Sequence, residues 1–225
     1  MERVRFWLGE VIFPLVFWAL VIVGVVAFFR WRDQEAGKRV NGLDQALAAG
    51  QQAAAANRFA PPFAAAMKDE YGFADEIKAF LSPTAASSDE VPGRLLSDAG
   101  ADTQVTLPTP LMAVDVVRRR PDKIEGKLPG DSRADTLADA RTLVLIRCDK
   151  HFLGKYGGAV QGFSTICNWA ALDMKASAGP TILAIGKVES SPPSKVDVLH
   201  QWGAVVGKRP DQFMADWVKA RLAPR

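Results

Sequence analysis

Four side chains that could bind a metal or react as thiols lie in the second half of the sequence: Cys148, His151, Cys167 and His200. Two cysteines and two histidines match the ligand count of a tetrahedral zinc site. Cys148 and His151 fall in a strand-like run, however, where side chains three positions apart point to opposite faces of the sheet. Without a bulge between them they cannot share one ion. We therefore predict no metal site and no cofactor, but a buried cysteine pair and two surface histidines.

Two other segments have some features of catalytic or nucleotide-binding motifs. Ser164 follows Gly162-Phe163 on a strand-like run, but the second glycine of a Gly-x-Ser-x-Gly nucleophile elbow is missing. Residues 203–209 are one residue short of a phosphate-binding P-loop and end in arginine where the magnesium ligand belongs, so we predict a glycine-containing turn there. Neither histidine lies in a catalytic motif. The sequence therefore predicts a protein that is not an enzyme.

The two cysteines lie on facing strands of a predicted β-hairpin. Gly157-Gly158 separates two strand-like runs, and glycine pairs are typical of two-residue hairpin turns. A register centred on that turn places Cys148 opposite Cys167 on an almost wholly apolar face, where a disulfide would indicate an oxidising compartment. If the turn has two residues, Cys148 and Cys167 form a hydrogen-bonded pair of the ladder with Cα atoms about 5.5 Å apart, and this geometry is less suited to a disulfide. A longer turn reaching Gly162, or two free buried thiols, are the alternatives.

Residues 11–29 contain no charged side chain, and their length is close to the roughly 20 residues that a helix needs to cross a bilayer core. Trp7 and Trp31 flank this run as aromatic side chains do at membrane interfaces, and Arg30 and Arg32 follow its end. A cleaved signal peptide has a shorter apolar core and ends in small residues. We therefore predict an uncleaved single-pass helix with the lipid bilayer as a partner, the alternative being a buried core helix.

The flanking charges and the cysteines disagree about which side of the membrane the soluble part faces. Cations are more numerous after the span than before it: Arg30, Arg32, Lys38 and Arg39 against Arg3 and Arg5. This favours the cytoplasm, but long domains translocate largely regardless of flanking charge. Weighing the cysteine pair, we predict an extracytoplasmic (periplasmic) domain at the cell membrane. The net charge of +3 is mild, and aromatic side chains do not interleave with basic ones as a nucleic-acid-binding platform would require, so no nucleic-acid partner is predicted.

The chain divides into four segments of different composition. Residues 1–32 are the transmembrane anchor with its flanks. Residues 33–62 are rich in Ala and Gln and have little apolar surface, so we predict a helical stalk. Residues 63–110 are predicted to hold a helix up to residue 81, followed by a long loop rich in Ser, Pro and Asp. Residues 111–225 carry the strand-like runs and form the soluble domain.

The soluble domain is predicted to be α+β. Short links between the later strand-like runs favour an antiparallel meander, and the apolar spacing after Pro210 predicts a C-terminal helix packed on the sheet. Three consecutive arginines, residues 118–120, are predicted to lie in a solvated turn after the first strand. The predicted strands are residues 111–117, 143–156, 163–174 and 181–188. The predicted fold class is therefore one N-terminal transmembrane helix followed by an α+β domain with a mainly antiparallel sheet.

An orderly core without a cluster of catalytic side chains favours a membrane-anchored accessory or interaction protein. We expect it to act as a non-catalytic subunit of a membrane complex and to contact other proteins of that complex. The first alternative is a membrane-tethered domain that binds a small ligand or catalyses a reaction near His151 and the loop at residues 82–110, which requires a concave pocket. A further alternative is an assembly factor that acts through Cys148 and Cys167.

Overall fold

The structure is a computed structural model that describes residues 13–66, 73–82, 105–156, 159–192 and 202–223. The chain forms two compact units, residues 1–38 and residues 39–225. The two units are described separately below.

The first unit contains most of helix α1 (Phe13–Arg39), which is 27 residues long. At 1.5 Å per residue such a helix extends about 40 Å, more than the roughly 30 Å of a bilayer core. Its apolar side chains are exposed, among them Leu15, Leu20 and Val23. The prediction of an N-terminal helix long and apolar enough to cross a membrane is therefore confirmed.

The predicted interface side chains are partly within the described structure. Arg30 and Trp31 are exposed, and the Arg32 guanidinium lies 5.2 Å from the centre of the Phe29 ring. Such a cation–π contact holds a charged side chain beside an apolar helix surface. Trp7 lies outside the described residues.

The second unit is built on a six-stranded mixed sheet. The strand order is β2-β1-β3-β4-β5, and β6 pairs with β4. The β3–β4 and β4–β5 pairs are antiparallel, whereas β1 pairs with β3, and β6 with β4, in parallel. The strands are β1 (Leu111–Asp115), β2 (Arg120–Pro121), β3 (Thr142–Lys155), β4 (Ala159–Asp173), β5 (Thr181–Ser190) and β6 (Trp202–Val206). The mainly antiparallel sheet and the C-terminal helix confirm the predicted α+β class.

The predicted register between β3 and β4 is confirmed over most of its length. Cys148 pairs with Cys167, and Phe152 with Phe163. Between Phe152 and Gly154 the register shifts by one residue, so that Gly154 pairs with Gly162. Such a shift is a β-bulge, in which two residues of one strand lie opposite one residue of the other. The Gly157-Gly158 turn itself lies outside the described residues.

Among the described residues, four α-helices accompany the sheet: α2 (Leu43–Ala55), α3 (Pro61–Ala66), α4 (Phe73–Phe80) and α5 (Asp211–Lys219). Helix α2 is the Ala- and Gln-rich segment for which we predicted a stalk. It is helical, but it contacts α4 and β5, and one of its faces is buried. The small side chains explain this difference, because a Cβ at Gly50 would lie 2.7 Å from Leu172 Cδ2 and 2.9 Å from Leu81 Cδ1. A helix of small residues thus packs closely into the core instead of standing apart from it.

The segment predicted to be one helix over residues 63–81 is described as α3 and α4, and residues 67–72 between them lie outside the described residues. The same holds for residues 83–104 of the predicted loop. Helix α5 confirms the predicted C-terminal helix. Its buried Trp217 packs edge-on against Trp169 of β4, with ring centres 5.4 Å apart.

Of two predicted turns, the glycine-containing one has a different structure, whereas the arginine run does form an exposed turn at Arg118 and Arg119. Part of the segment predicted as a glycine-containing turn is the strand β6, which lies in parallel beside the first half of β4. In the arginine run, Arg120 belongs to β2, while Arg119 Nη2 lies 2.6 Å from Asp44 Oδ2 of α2 and Arg118 pairs with Asp115 at 3.6 Å. The run therefore contacts other parts of the domain in addition to solvent.

Candidate functional site

The outer edge of β3 is covered along only part of its length. β1 pairs with β3 from Thr142 to Ile146, and the Val116 N–H donates to the Ile146 carbonyl at 3.0 Å. Beyond Ile146, no strand among the described residues pairs with this edge. We call the uncovered part of β3, residues 147–155, the free edge.

The direction of the backbone groups along the free edge follows from the same hydrogen bond. Because the Ile146 carbonyl points away from β4, towards β1, the N–H and C=O groups of alternate residues after it also point away from β4. These residues are Cys148, Lys150 and Phe152. Asp149 and His151 direct theirs into the ladder with β4. An edge with unsatisfied groups of this kind is a template for pairing with another extended chain.

The side chains of the free edge combine apolar and cationic groups. Phe152 is 48% exposed and Leu153 is 51% exposed, and these two large apolar side chains are adjacent in the chain. The Phe152 ring packs edge-on against Phe163, with centres 5.5 Å apart. Lys150 and Lys155 are exposed beside them. The free edge is therefore an apolar strip flanked by positive charge.

A shallow cavity of about 270 Å³ lies at the tip of the β3–β4 hairpin. The Tyr156 ring covers Gly162 closely, since a Cβ at that glycine would lie 2.8 Å from Tyr156 Cε2. Lys155 is the one charged side chain among those that line the cavity, which are Leu153, Gly154, Lys155, Tyr156, Gly162, Ser191 and Pro192. The lining is therefore mainly apolar, with polar side-chain groups on Lys155, Tyr156 and Ser191.

At the base of the free edge, Cys148 and Cys167 form a disulfide. Their Cα atoms are 4.0 Å apart, a separation typical of a non-hydrogen-bonded pair. Counting from a two-residue turn predicted a hydrogen-bonded pair, and this was wrong. The bulge between Phe152 and Gly154 inserts one residue into β3 and so reverses which residues of β3 bond to β4. The alternative of two free thiols is not what the structure contains.

A buried ion pair supports the disulfide. The Arg209 Nε atom lies 3.1 Å from Cys148 Sγ, and its Nη2 atom donates to Asp122 Oδ2. The Asp122 side chain is fully buried, and its Oδ1 atom accepts from the Ile124 N–H at 3.0 Å. Arg209 Nε also lies 3.2 Å from Asp211 Oδ1. The single guanidinium of Arg209 thus contacts Cys148 Sγ and both carboxylates, and these contacts hold the base of the free edge in place.

A second buried charge cluster lies at the start of the second unit. Glu125 is 5% exposed, and its Oε2 atom lies 3.1 Å from Arg39 Nη2. Arg39 also donates to the Asp135 carbonyl at 2.8 Å and accepts from the Leu137 N–H. Burial raises the pKa of Glu125, against the opposing effect of Arg39 and then Arg133. The cluster joins three segments of the chain and has the character of a structural brace.

The residues singled out for chemistry are not assembled into a catalytic site in the described structure. Ser164 pairs with His151 across the β3–β4 ladder, but Ser164 is fully buried and its Oγ atom has no hydrogen-bond partner among the described residues. His151 is exposed, and the bulge lies beyond it, so it and Cys148 remain on opposite faces of β3. The described residues contain no group of side chains arranged to hold a metal ion. His200 lies outside them.

Sequence reasoning missed the free edge, the ion pair of Arg209 with Asp122 and the brace at Glu125. Two of these depend on residues far apart in the sequence, for which composition and periodicity give no signal. The free edge had a partial signal, because the predicted run at residues 143–156 is twice as long as the predicted strand at residues 111–117 that precedes it.

In the part of the chain that the structure describes, the fold is therefore an α+β domain with a partly uncovered sheet edge, and a long apolar helix lies near the N-terminus. No protein-family model, curated protein or solved structure matches the chain.

Proposed function

We propose that the protein is a single-pass membrane protein whose soluble domain binds another protein, as a non-catalytic accessory subunit of a membrane complex. The observation that carries this proposal is the free edge, where backbone groups that pair with no described strand lie beside the exposed side chains of Phe152 and Leu153. Exposed sheet edges of this kind are used in protein recognition, because an added strand satisfies the backbone and buries the apolar strip.

We further propose that α1 is the anchor and that the domain faces an oxidising, extracytoplasmic compartment. The exposed apolar surface of α1 favours lipid over water. A disulfide between two central strands is supported by an oxidising compartment, whereas the cytosol keeps thiols reduced. A cysteine introduced at the exposed Ala178 should react with a membrane-impermeant maleimide before lysis. Labelling only after lysis would place the domain in the cytoplasm.

Photo-crosslinking in native membranes tests the protein-binding proposal. A benzoylphenylalanine at position 153 should give a discrete adduct of higher mass, because Leu153 lies on the free edge. The matched control carries the same group at Ala178, which is exposed in the turn between β4 and β5, at the other end of these strands. An adduct from both positions, or from neither, would contradict the proposal.

A second candidate function, binding of a small ligand, is favoured by the cavity beside Tyr156 and Lys155. One cation in an apolar lining suits a small apolar molecule that carries a negative charge. Octanoate is a simple probe of this chemistry. It should raise the unfolding temperature of the full-length protein but not that of a Lys155→Ala variant. Equal effects on both proteins, or none, would dispose of this candidate.

A further inference from the structure

We propose that the free edge recognises its partner by strand addition, and that the segment it binds is extended and acidic. This inference rests on the proposed function and specifies the chemistry of the partner. Three properties of the edge carry it: the direction of its backbone groups, the sign of its charge and the fixed position of its base.

The backbone groups fit one added strand. Cys148, Lys150 and Phe152 direct their N–H and C=O groups outward, and the described residues offer these groups no strand to pair with. A strand placed about 4.8 Å from β3 would bond to them in alternation and continue the sheet on the side where β1 ends. Its apolar side chains would cover the exposed side chains of Phe152 and Leu153.

The charge of the edge selects an acidic partner. Lys150 and Lys155 are exposed, whereas the one acidic residue of the edge, Asp149, is paired with Arg147 at 2.8 Å. Opposite charges facing each other across two strands stabilise their pairing, and like charges destabilise it. A second copy of this chain would bring the same lysines towards each other, in a protein that already carries a net charge of +3. The occupant is therefore a different protein with acidic residues in an extended segment.

The base of the edge is held in position before binding. The disulfide joins Cys148 to the central strand β4, and Arg209 bridges Cys148 to the buried Asp122. A preorganised edge loses little conformational freedom when a strand is added, so that more of the interaction energy is available for binding. Only the incoming segment has to become ordered.

Amide hydrogen exchange distinguishes strand addition from docking through side chains. The probe is an acetylated hexapeptide that alternates Glu and Val, added to the full-length protein in detergent micelles. At saturation, exchange at the Lys150 and Phe152 amides should slow by about tenfold or more, since each gains a hydrogen bond. The Asp149 and His151 amides, which already bond to β4, should not change. A peptide that alternates Lys and Val should have no effect.

A pair of variants at one position separates the backbone from the charge. Lys150→Pro removes the outward N–H, whereas Lys150→Gln removes the charge and keeps the N–H. We expect Lys150→Gln to weaken binding about threefold, as for an exposed ion pair, and Lys150→Pro to weaken it about tenfold or more. Retention of the disulfide and of slow exchange at the Asp149 amide shows that a variant is folded. The exchange experiment on the unaltered protein does not depend on these variants.

Several results would overturn the inference. One is amide exchange at Lys150 and Phe152 that is already slow without peptide, and another is equal slowing at these two amides and at those of Asp149 and His151. Equal binding of the acidic and basic peptides, or self-association of the protein through this edge, would also contradict it. If crosslinking from position 153 still yields a discrete partner, the proposed function stands and only the mode of recognition is wrong. If the acidic peptide binds as expected but native membranes yield no adduct, the proposed function fails instead.

Discussion

Removing the Cys148–Cys167 disulfide should destabilise the second unit by a predictable amount. The two cysteines are 19 residues apart in sequence, and closing a loop of this size in the unfolded chain costs about 3 kcal/mol of conformational entropy. The reduced protein keeps both sulfur atoms and loses this restraint, and the two thiol sulfurs move apart to van der Waals distance. In a Cys148→Ala/Cys167→Ala variant the fully buried Cys167 also loses its sulfur, which adds about 1 kcal/mol for lost packing.

Urea unfolding of the full-length protein in a mild detergent measures these differences. The fluorescence of the buried Trp169 and Trp217 reports on the second unit. With a slope of about 2 kcal/mol per molar urea, the midpoint should fall by about 1.5 M on reduction and by about 2 M in the double alanine variant. Adding reductant to that variant is the control and should change nothing.

The size of the fall in the urea midpoint on reduction decides whether the loop-closure explanation is correct. A reduced protein that unfolds within about 0.3 M urea of the oxidised protein would show that the bond does not restrain the unfolded chain to the expected extent. A larger fall for reduction than for the double variant would mean that the free thiols themselves disrupt the strands. In that case the loop-closure explanation would be refuted.

Three other predictions concern close packing and buried charge in the second unit. Gly186→Ala should lower the free energy of unfolding by about 1–3 kcal/mol, measured as a lower urea midpoint, because the new Cβ would lie 2.1 Å from Trp169 Cζ2. Gly207→Ala should cost more and reduce the yield of folded protein, since its Cβ would lie 1.9 Å from a backbone oxygen that cannot rotate away. Burial raises the pKa of Glu125 despite the nearby Arg39. The protonated carboxyl therefore stabilises the folded state. This contribution is fully present below the pKa that Glu125 has in the unfolded chain, and it is lost as the pH rises through the higher pKa of the folded state. The stability of the unaltered protein relative to Glu125→Gln should therefore increase between pH 7 and about pH 4, and an unchanged difference in urea midpoints would contradict this.

Periodicity and turn composition predicted the parts of the fold that depend on neighbouring residues. The apolar run at residues 11–29 predicted the helical, apolar character of α1, and alternation around Gly157-Gly158 predicted the pairing of Cys148 with Cys167. These features are local, because each depends on a helix or on two strands joined by a short connection.

Features that depend on distant residues could not be predicted in the same way. Helix α2 has the composition of an exposed helix, and only the leucines placed against Gly50 by other elements show that it belongs to the core. β6 is a short run rich in Val and Ala that pairs in parallel with β4, and parallel pairing gives no turn signal near the strand. The ion pair of Arg209 with Asp122 joins residues 87 positions apart.

The bulge between Phe152 and Gly154 connects the disulfide with the free edge. In a regular hairpin with a two-residue turn, Cys148 would bond to β4, and the outward groups would belong to Asp149 and His151. The extra residue in β3 reverses this alternation of inward and outward backbone groups. It does not change which residues of β3 and β4 lie opposite each other on the Cys148 side of the bulge, because the register there is the one expected for a two-residue turn. The same insertion thus brings the Cα atoms of the cysteines to 4.0 Å and turns the backbone groups of Lys150 and Phe152 outward. The outward backbone groups of the free edge therefore belong to Lys150 and Phe152 and not to Asp149, and under the proposed strand addition these are the groups to which an acidic strand would bond.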